Sequence, residues 1–459
     1  MLARLSLALG SLLLGAGLAH AADLVVGPVG SGAPYTSIGA AVAAASPGDR
    51  VLVRSGVYFE HVVVSKPIEL IGAGSSTTVI QSFPANAPLP ALFPPLGITA
   101  IAAGQRAVVR GFRLQVPSVF RVLQYPYTMA YALGCAGRIE ISDLHVEAGN
   151  LLTAGASTGG LVLVRDCAQV VMDGVKALGA SLPNSNGTEG ISGLYVERSR
   201  LWISRCDLAG SSPGGRSNGA SGEAGSGLRA IDSEVQLART RLVGAGGAAR
   251  TTALAEPGGP GLEARGSSIV VHGGDGAAIV GADARETLFL LYYIYGSGGH
   301  AIEADAGSSV VLAPDVQLLA GAPSANLPGG QAISAASGAS VSTLPERAPS
   351  LAFLPQIGAL GSTSTVQYQG QPGSLHARFL SFASGNALAL PGIEGALLLD
   401  LLTFFYVETV TLDGLGQATS FAPIPADPLL TGLSLVEQTV QWSPLGLRFG
   451  PPALKSIGY

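Results

Sequence analysis

Charge is scarce in this 459-residue chain: only 12% of residues are Asp, Glu, Lys or Arg, and 25 basic against 30 acidic side chains leave a net charge of −5. Such a surface has no basic field with which to hold phosphate backbones, which excludes nucleic acid as an expected partner. Cysteine is scarcer still, with Cys135, Cys167 and Cys206 alone. An odd count with no closely spaced pair argues against a disulfide scaffold, and apolar neighbours point to ordinary buried thiols. Long apolar runs are missing beyond the first residues. The most apolar later stretch, "ALLLDLLTFFYV", is broken by Asp400 and falls short of the roughly 20 residues of a spanning helix.

At the start of the chain, Arg4 precedes an apolar run from Leu5 to Leu18 and then Ala19, His20 and Ala21. This is the pattern of a secretory signal peptide, cut after Ala21. The expectation is a bacterial protein exported to the periplasm, the cell surface or the medium, with no membrane span after cleavage. No cysteine follows the cut, so no lipid anchor is expected.

What the sequence has in abundance is glycine, 64 residues of it, and an internal repeat. Aligning "GRIEISDLHV", "AQVVMDGVKA", "RLWISRCDLA" and "EVQLARTRLV" gives four apolar columns. They are Ile139, Val170, Leu201, Val235; then Ile141, Met172, Ile203, Leu237; then Leu144, Val175, Cys206, Thr240; then Val146, Ala177, Leu208, Leu242. The template extends backward to Ala107, Val109, Phe112 and Leu114, and forward to Ile269 and Val271, where glycine takes the last two columns. Apolar residues two apart, a gap, and two apart again describe two short strands joined by a tight turn, a spacing no helix produces.

A third strand precedes each pair, seen as "GLYVE", "GLRAI", "GLEAR", "AIEAD" and "AISAA". Three short strands per repeat predict a parallel β-helix in which like residues stack about 4.8 Å apart. Gly-, Ser- and Pro-rich insertions between repeats read as loops thrown from one corner. "YTSIGAAVAAASPGDRVLV" predicts a short helix ended by Pro47-Gly48, capping the open coil. The repeat stops near residue 346. Residues 347–459 read as a separate all-β, sandwich-like module, with "STVQYQ", "LHARFLSF" and "LSLVEQTVQW" as strands.

The repeat pattern resembles the right-handed parallel β-helix proteins of the pectin-lyase-like superfamily over residues 35–345. The tail resembles terminal modules of large exported bacterial proteins. Gly56, Tyr58 and Glu60, in "SGVYFEHVVV", resemble the G-x-Y-x-E segment of pectin methylesterases. That family's chemistry lies on later motifs, Q-A-V-A, G-x-x-D-F-x-F-G and L-G-R-P-W, and none occurs here. The polygalacturonase segments N-T-D, D-D, G-H-G and R-I-K are missing too, with His300 alone in "SGGHAIEAD", and no D-D pair offers the calcium cluster of a pectate lyase.

Alternation within the third strands places Tyr195 and Glu197, Arg229 and Ile231, Glu263 and Arg265, and Glu303 and Asp305 on the outer face. The resemblance implies that polysaccharide, or a cell-surface glycan, lies along this face beside the loops. Neighbouring carboxylates such as Glu263 and Glu303 are of the kind that share a proton or bind calcium. Tyr292, Tyr293 and Tyr295, in the loop before Glu303, offer flat rings for stacking on sugars. The structural alternative is a solvated wall of compensating charges. A second outward column, Arg113, His145, Lys176, Asp207, Arg241 and Asp275, reads as structural, and Asn186-Gly187-Thr188 fits a glycosylation sequon. The expected function is a non-catalytic, exported protein that binds polysaccharide or forms part of the cell surface, with no metal site and no catalytic residue assigned. The rival is a polysaccharide lyase or hydrolase working through Arg229, Glu263, Arg265, Glu303 and Asp305.

Overall fold

Each apolar column becomes a ladder of side chains inside a coil. In a computed structural model of the protein, Ile139, Val170, Leu201, Val235 and Ile269 are successive parallel partners, and all five are inaccessible to solvent. The structure describes residues 22–81, 94–115, 120–122, 128–147, 151–153, 159–179, 190–213, 223–246, 257–283, 286–289, 292–295, 297–323 and 328–458. The fold is an all-β parallel β-helix with a second all-β unit packed along its flank. Two of its three walls join in one 18-stranded sheet because Arg106–Gln115 and Arg138–Glu147 run unbroken round a corner. The third wall is a sheet of nine parallel strands, from Val62–Val64 at one end to Ile333–Ala335 at the other.

The corners explain the gap in the repeat. Between the paired strands the chain turns through a left-handed residue: Gly111, Asp143, Gly174, Arg205 and Arg239 occupy that position on consecutive rungs. A second ladder, Asp166, Arg198 and Asp232, turns the chain out of the nine-stranded sheet. Left-handed backbone costs a non-glycine residue roughly 1 kcal/mol or more. The residue after the second corner offsets that cost with a side-chain ladder. The Oγ of Ser199, Ser233, Ser267 and Ser308 each accepts the backbone N–H of the equivalent residue one rung earlier, at 3.0–3.4 Å.

Cys135 and Cys167 are the first two members of this serine ladder. The chain therefore does contain a neighbouring cysteine pair, stacked on consecutive rungs, which their 32-residue spacing conceals from a search for close pairs. All three cysteines are free and buried. Cys206 stacks between Val175 and Thr240 as the columns predict, accepting from the Val175 N–H at 3.4 Å.

A helix, Ile38–Ala44, closes the N-terminal end, with Ile38, Ala41 and Val42 against the core and Ser37 as its N-cap. At the far corner, exit and entry segments of successive loops alternate in one hydrogen-bonded column: Ala245 N–H to Gly225 O, Gly259 to Ala245, Ala282 to Gly259, Gly299 to Ala282, Gly321 to Gly299. A Cβ on Gly244 would sit 1.9 Å from the Gly259 oxygen. This close approach is where much of the glycine goes.

Residues beyond 346 form a three-stranded sheet (Ser350–Leu354, Thr363–Gln369, Gln417–Pro423) facing a seven-stranded one, with Leu351, Phe353, Val366 and Tyr368 between them. The strands beyond residue 346 pair only among themselves, and the sandwich they form lies against the outer face of the β-helix. Val171 and Trp202, outward on the helix, share an apolar cluster with Leu398, Leu399, Val436, Phe449 and Leu454. Around it, the Asp173 carboxylate accepts from Leu454 N–H at 2.6 Å and from Arg205 at 2.8 and 2.5 Å, and Arg205 reaches the Phe353 carbonyl at 2.9 Å. Glu140 accepts from the Ser384 N–H and hydroxyl, Arg110 donates to Ser456 and the Gly432 carbonyl, and Gln169 donates to the Gly385 carbonyl at 2.7 Å.

Candidate functional site

The outward rows of the nine-stranded sheet carry the residues that alternation singles out. Leu163, Tyr195, Arg229, Glu263, Glu303 and Ser334 are consecutive partners across it. Two residues further on, Arg165, Glu197, Ile231 and Arg265 form a parallel row, which Asp305 extends because it follows Ala304, the partner of Ala264. The seven charged or aromatic candidates on these strands are therefore brought together in two adjoining rows.

Their charges compensate one another, as the structural alternative expects, with Asp305 exposed and Arg265 partly so but Glu263 and Tyr195 buried. Rung spacing suits a guanidinium that bridges neighbouring carboxylates, and the rows close into a chain of ion pairs. Arg229 Nε lies 2.6 Å from Glu263 Oε2, Arg265 Nη2 lies 2.7 Å from Glu263 Oε1, and Arg265 Nε lies 3.7 Å from Asp305. Glu197 pairs with Arg165 at 2.6 Å and with Arg198. Glu263 is left 3% exposed and Tyr195 7% exposed, so two residues expected to face solvent are buried. Alternation reports the direction of these side chains and not their depth, which the covering by neighbouring long side chains sets.

Glu303 is the exception. It has no hydrogen bond or ion pair among the described residues, and burial raises its pKa above the usual carboxylate range, with the charge of Glu263 adding to the rise and His300 and Arg265 opposing it. The His300 Nδ1 accepts the Gln331 N–H at 3.0 Å, which orients that ring. One wall thus holds a carboxylic acid biased toward its protonated form beside a carboxylate clamped by two arginines. Among the described residues no three His, Cys, Asp or Glu side chains converge as metal ligands, and the Glu263–Glu303 pair finds no third carboxylate to hold calcium.

Tyr292–Tyr295 forms a hairpin with Glu286–Phe289, which places the backbone of Tyr292, Tyr293 and Tyr295 in a strand pair; their side chains lie outside the described residues. The sequon at Asn186 and residues 1–21 lie outside them too. Sequence reasoning missed Arg165, Arg198 and Glu223, the last 3.6 Å from Arg229. Arg165 carried a usable signal, standing 32 residues before Glu197 in the same column.

The second column needs one correction. Arg113, His145, Lys176, Asp207 and Arg241 stack as expected, with Asp207 and Arg241 3.3 Å apart. The next partner is Ala278, not Asp275, because the "GGDG" turn inserts extra residues before the strand Ala278–Val280. Glycine accordingly does not take over the last columns: Ile279 fills the inward place, and the Asp275 N–H donates to Gln369 of the sandwich at 2.6 Å.

No family model matches the chain, and no curated protein does. Among solved structures, the pectin methylesterase PemA from Erwinia chrysanthemi is similar at 13% identity, over 67% of this chain and 92% of that one, with a TM-score of 0.27. The enzymatically active domain of bacteriophage CBA120 tailspike protein 2 is similar at 10% identity, over 92% of this chain and 73% of that one, with a TM-score of 0.29. No residue role is carried across from either. Among the described residues, no helix is long and apolar enough to cross a membrane.

Proposed function

We propose that the protein is exported and that its nine-stranded sheet is a non-catalytic, rigid binding face for polysaccharide at or outside the cell surface. The observation that carries this reading is the mutual pairing of Arg229, Glu263, Arg265 and Asp305, with Glu197 held by Arg165 and Arg198. Fixed, neutralised charges in stacked rows offer hydrogen-bonding partners for sugar hydroxyls at a repeat set by the rungs. The same pairing leaves every one of these carboxylates engaged, so none is free as a nucleophile or base.

A second reading rests on Glu303 alone. Its raised pKa beside Glu263 is the arrangement of a general acid with a second carboxyl group, as glycoside hydrolysis requires. Incubation of the mature protein with acidic and neutral polysaccharides, followed by assays for retained glycan and for new reducing or unsaturated ends, separates the two. Retention without product, weakened by Arg265→Ala or Asp305→Ala, is the expected result. Product release that is abolished by Glu303→Gln would replace the binding reading with the hydrolytic one.

A further inference from the structure

The sandwich contains a cavity that the β-helix face does not explain. It has a volume of about 440 Å³, within the range of small-molecule sites, and opens between the two sheets. Its walls are apolar, with Phe382, Ile424, Leu433 and Leu435 among them. Its floor is not. Arg378 is 4% exposed, Glu437 2% and Lys455 3%, on three strands of one sheet.

The floor is incompletely satisfied. Arg378 Nε and Nη1 and Glu437 Oε2 are buried without a hydrogen-bond partner; Nη1 and Oε2 stand 3.2 Å apart, but not in hydrogen-bond alignment. Glu408, the other carboxylate here, is already engaged: it accepts the Tyr368 and Ser420 hydroxyls at 2.6 Å each and pairs with Arg378 Nη2 at 2.9 Å. Lys455 Nζ sits over the Phe353 ring, 5.1 Å from its centre. Buried donors without partners are costly to maintain unless something uses them. Two cations against one engaged carboxylate leave the floor positive when Glu437 carries its proton, and burial pushes the Glu437 pKa up to about 7 in spite of Arg378 and Lys455.

We propose that this cavity binds a molecule with an apolar body and a single carboxylate, the carboxylate accepting from Arg378 Nη1 and from the Glu437 hydroxyl beside it. The chemistry is shared by a fatty acid and by a free apolar peptide C-terminus. The site is independent of the polysaccharide reading, lying in the sandwich and using none of its residues. Affinity falls as pH rises through about 7, because ionised Glu437 then faces the ligand's carboxylate beside Arg378 and Glu408, and burial, which lowers the Lys455 pKa, acts in the same direction.

Calorimetric titration of the full mature chain with decanoate and with decanol at about pH 6 tests this, with an apolar peptide in free-acid and amidated forms telling the two ligand sources apart. Saturable binding of an acid, with the uncharged counterpart at least about tenfold weaker, is expected. Glu437→Gln retains the binding and flattens its pH dependence, whereas Arg378→Met abolishes the preference for the acid. Should Arg378→Met fail to fold, Leu433→Trp, which fills the cup from its wall, is expected to remove binding while the far-UV spectrum stays unchanged. Equal affinity for acid and uncharged counterpart, or no binding of either acid, overturns the assignment.

Discussion

Glu60 shows how a residue that looks like part of a motif earns its place structurally. Its carboxylate accepts the Ile38 and Gly39 N–H groups and the Ser37 hydroxyl, all at 2.8 Å, and so pins the first turn of the capping helix to the first rungs. Tyr58 is 4% exposed in the core, and its hydroxyl donates to the Arg54 carbonyl at 2.8 Å. A Cβ on Gly56 would come 2.7 Å from Pro28 Cγ. The G-x-Y-x-E segment therefore builds the N-terminal cap. Glu60→Ala is expected to destabilise the protein by about 1–2 kcal/mol, the scale of a lost helix cap, as read by chemical denaturation. At Glu437 the pKa raised to about 7 means that folding favours the protonated form, so its ionisation lowers stability as pH rises from the unfolded value through 7. Relative to wild type, Glu437→Gln should gain melting temperature steadily between about pH 5 and pH 8; parallel profiles would contradict this.

Individual elements were legible in the sequence wherever one periodicity governed them. The strands Gln169–Asp173, Arg200–Ser204 and Glu234–Ala238 fall on their predicted columns, because a half-buried strand stacked on copies of itself has its inward residues fixed by alternation. The same logic failed where the repeat slipped, at the turn before Ala278–Val280, and where burial came from a distant segment. Val171, Trp202 and Asp173 alternate like surface positions, and only the sandwich, more than 180 residues later, accounts for their depth. Asp173 is wholly buried and serves both Arg205 and the Leu454 N–H. Asp173→Ala strands the arginine and that N–H together, for an expected loss of about 3–5 kcal/mol in equilibrium unfolding. Gly244→Val, by forcing a side chain into the Gly259 carbonyl, should open the loop column locally and appear as lost amide protection at Gly259 and Ala245.

At the scale of the molecule, the two units share one buried flank. Trp202 lies in it at 2% exposure, whereas the other tryptophan, Trp442, is 63% exposed, so the blue-shifted part of the fluorescence reports docking. Removing residues beyond 346 would uncover Val171, Trp202, Glu140 and Asp173 together; the truncated chain is expected to aggregate, and the intact one to lose Trp202 burial and sheet signal in one transition. Among the described residues, the hydrogen bonds of the sandwich to the β-helix go to the side of the 18-stranded sheet, and the nine-stranded wall with its paired rows is where we propose that polysaccharide binds. The most direct test is to measure polysaccharide affinity for the intact mature protein and for an Arg265→Ala, Asp305→Ala double variant, both positions being exposed enough to change without breaking the core. We predict binding that falls at least about tenfold in the variant with its melting curve unchanged. Equal affinity of the two proteins, or no affinity in either, would contradict the assignment of this face.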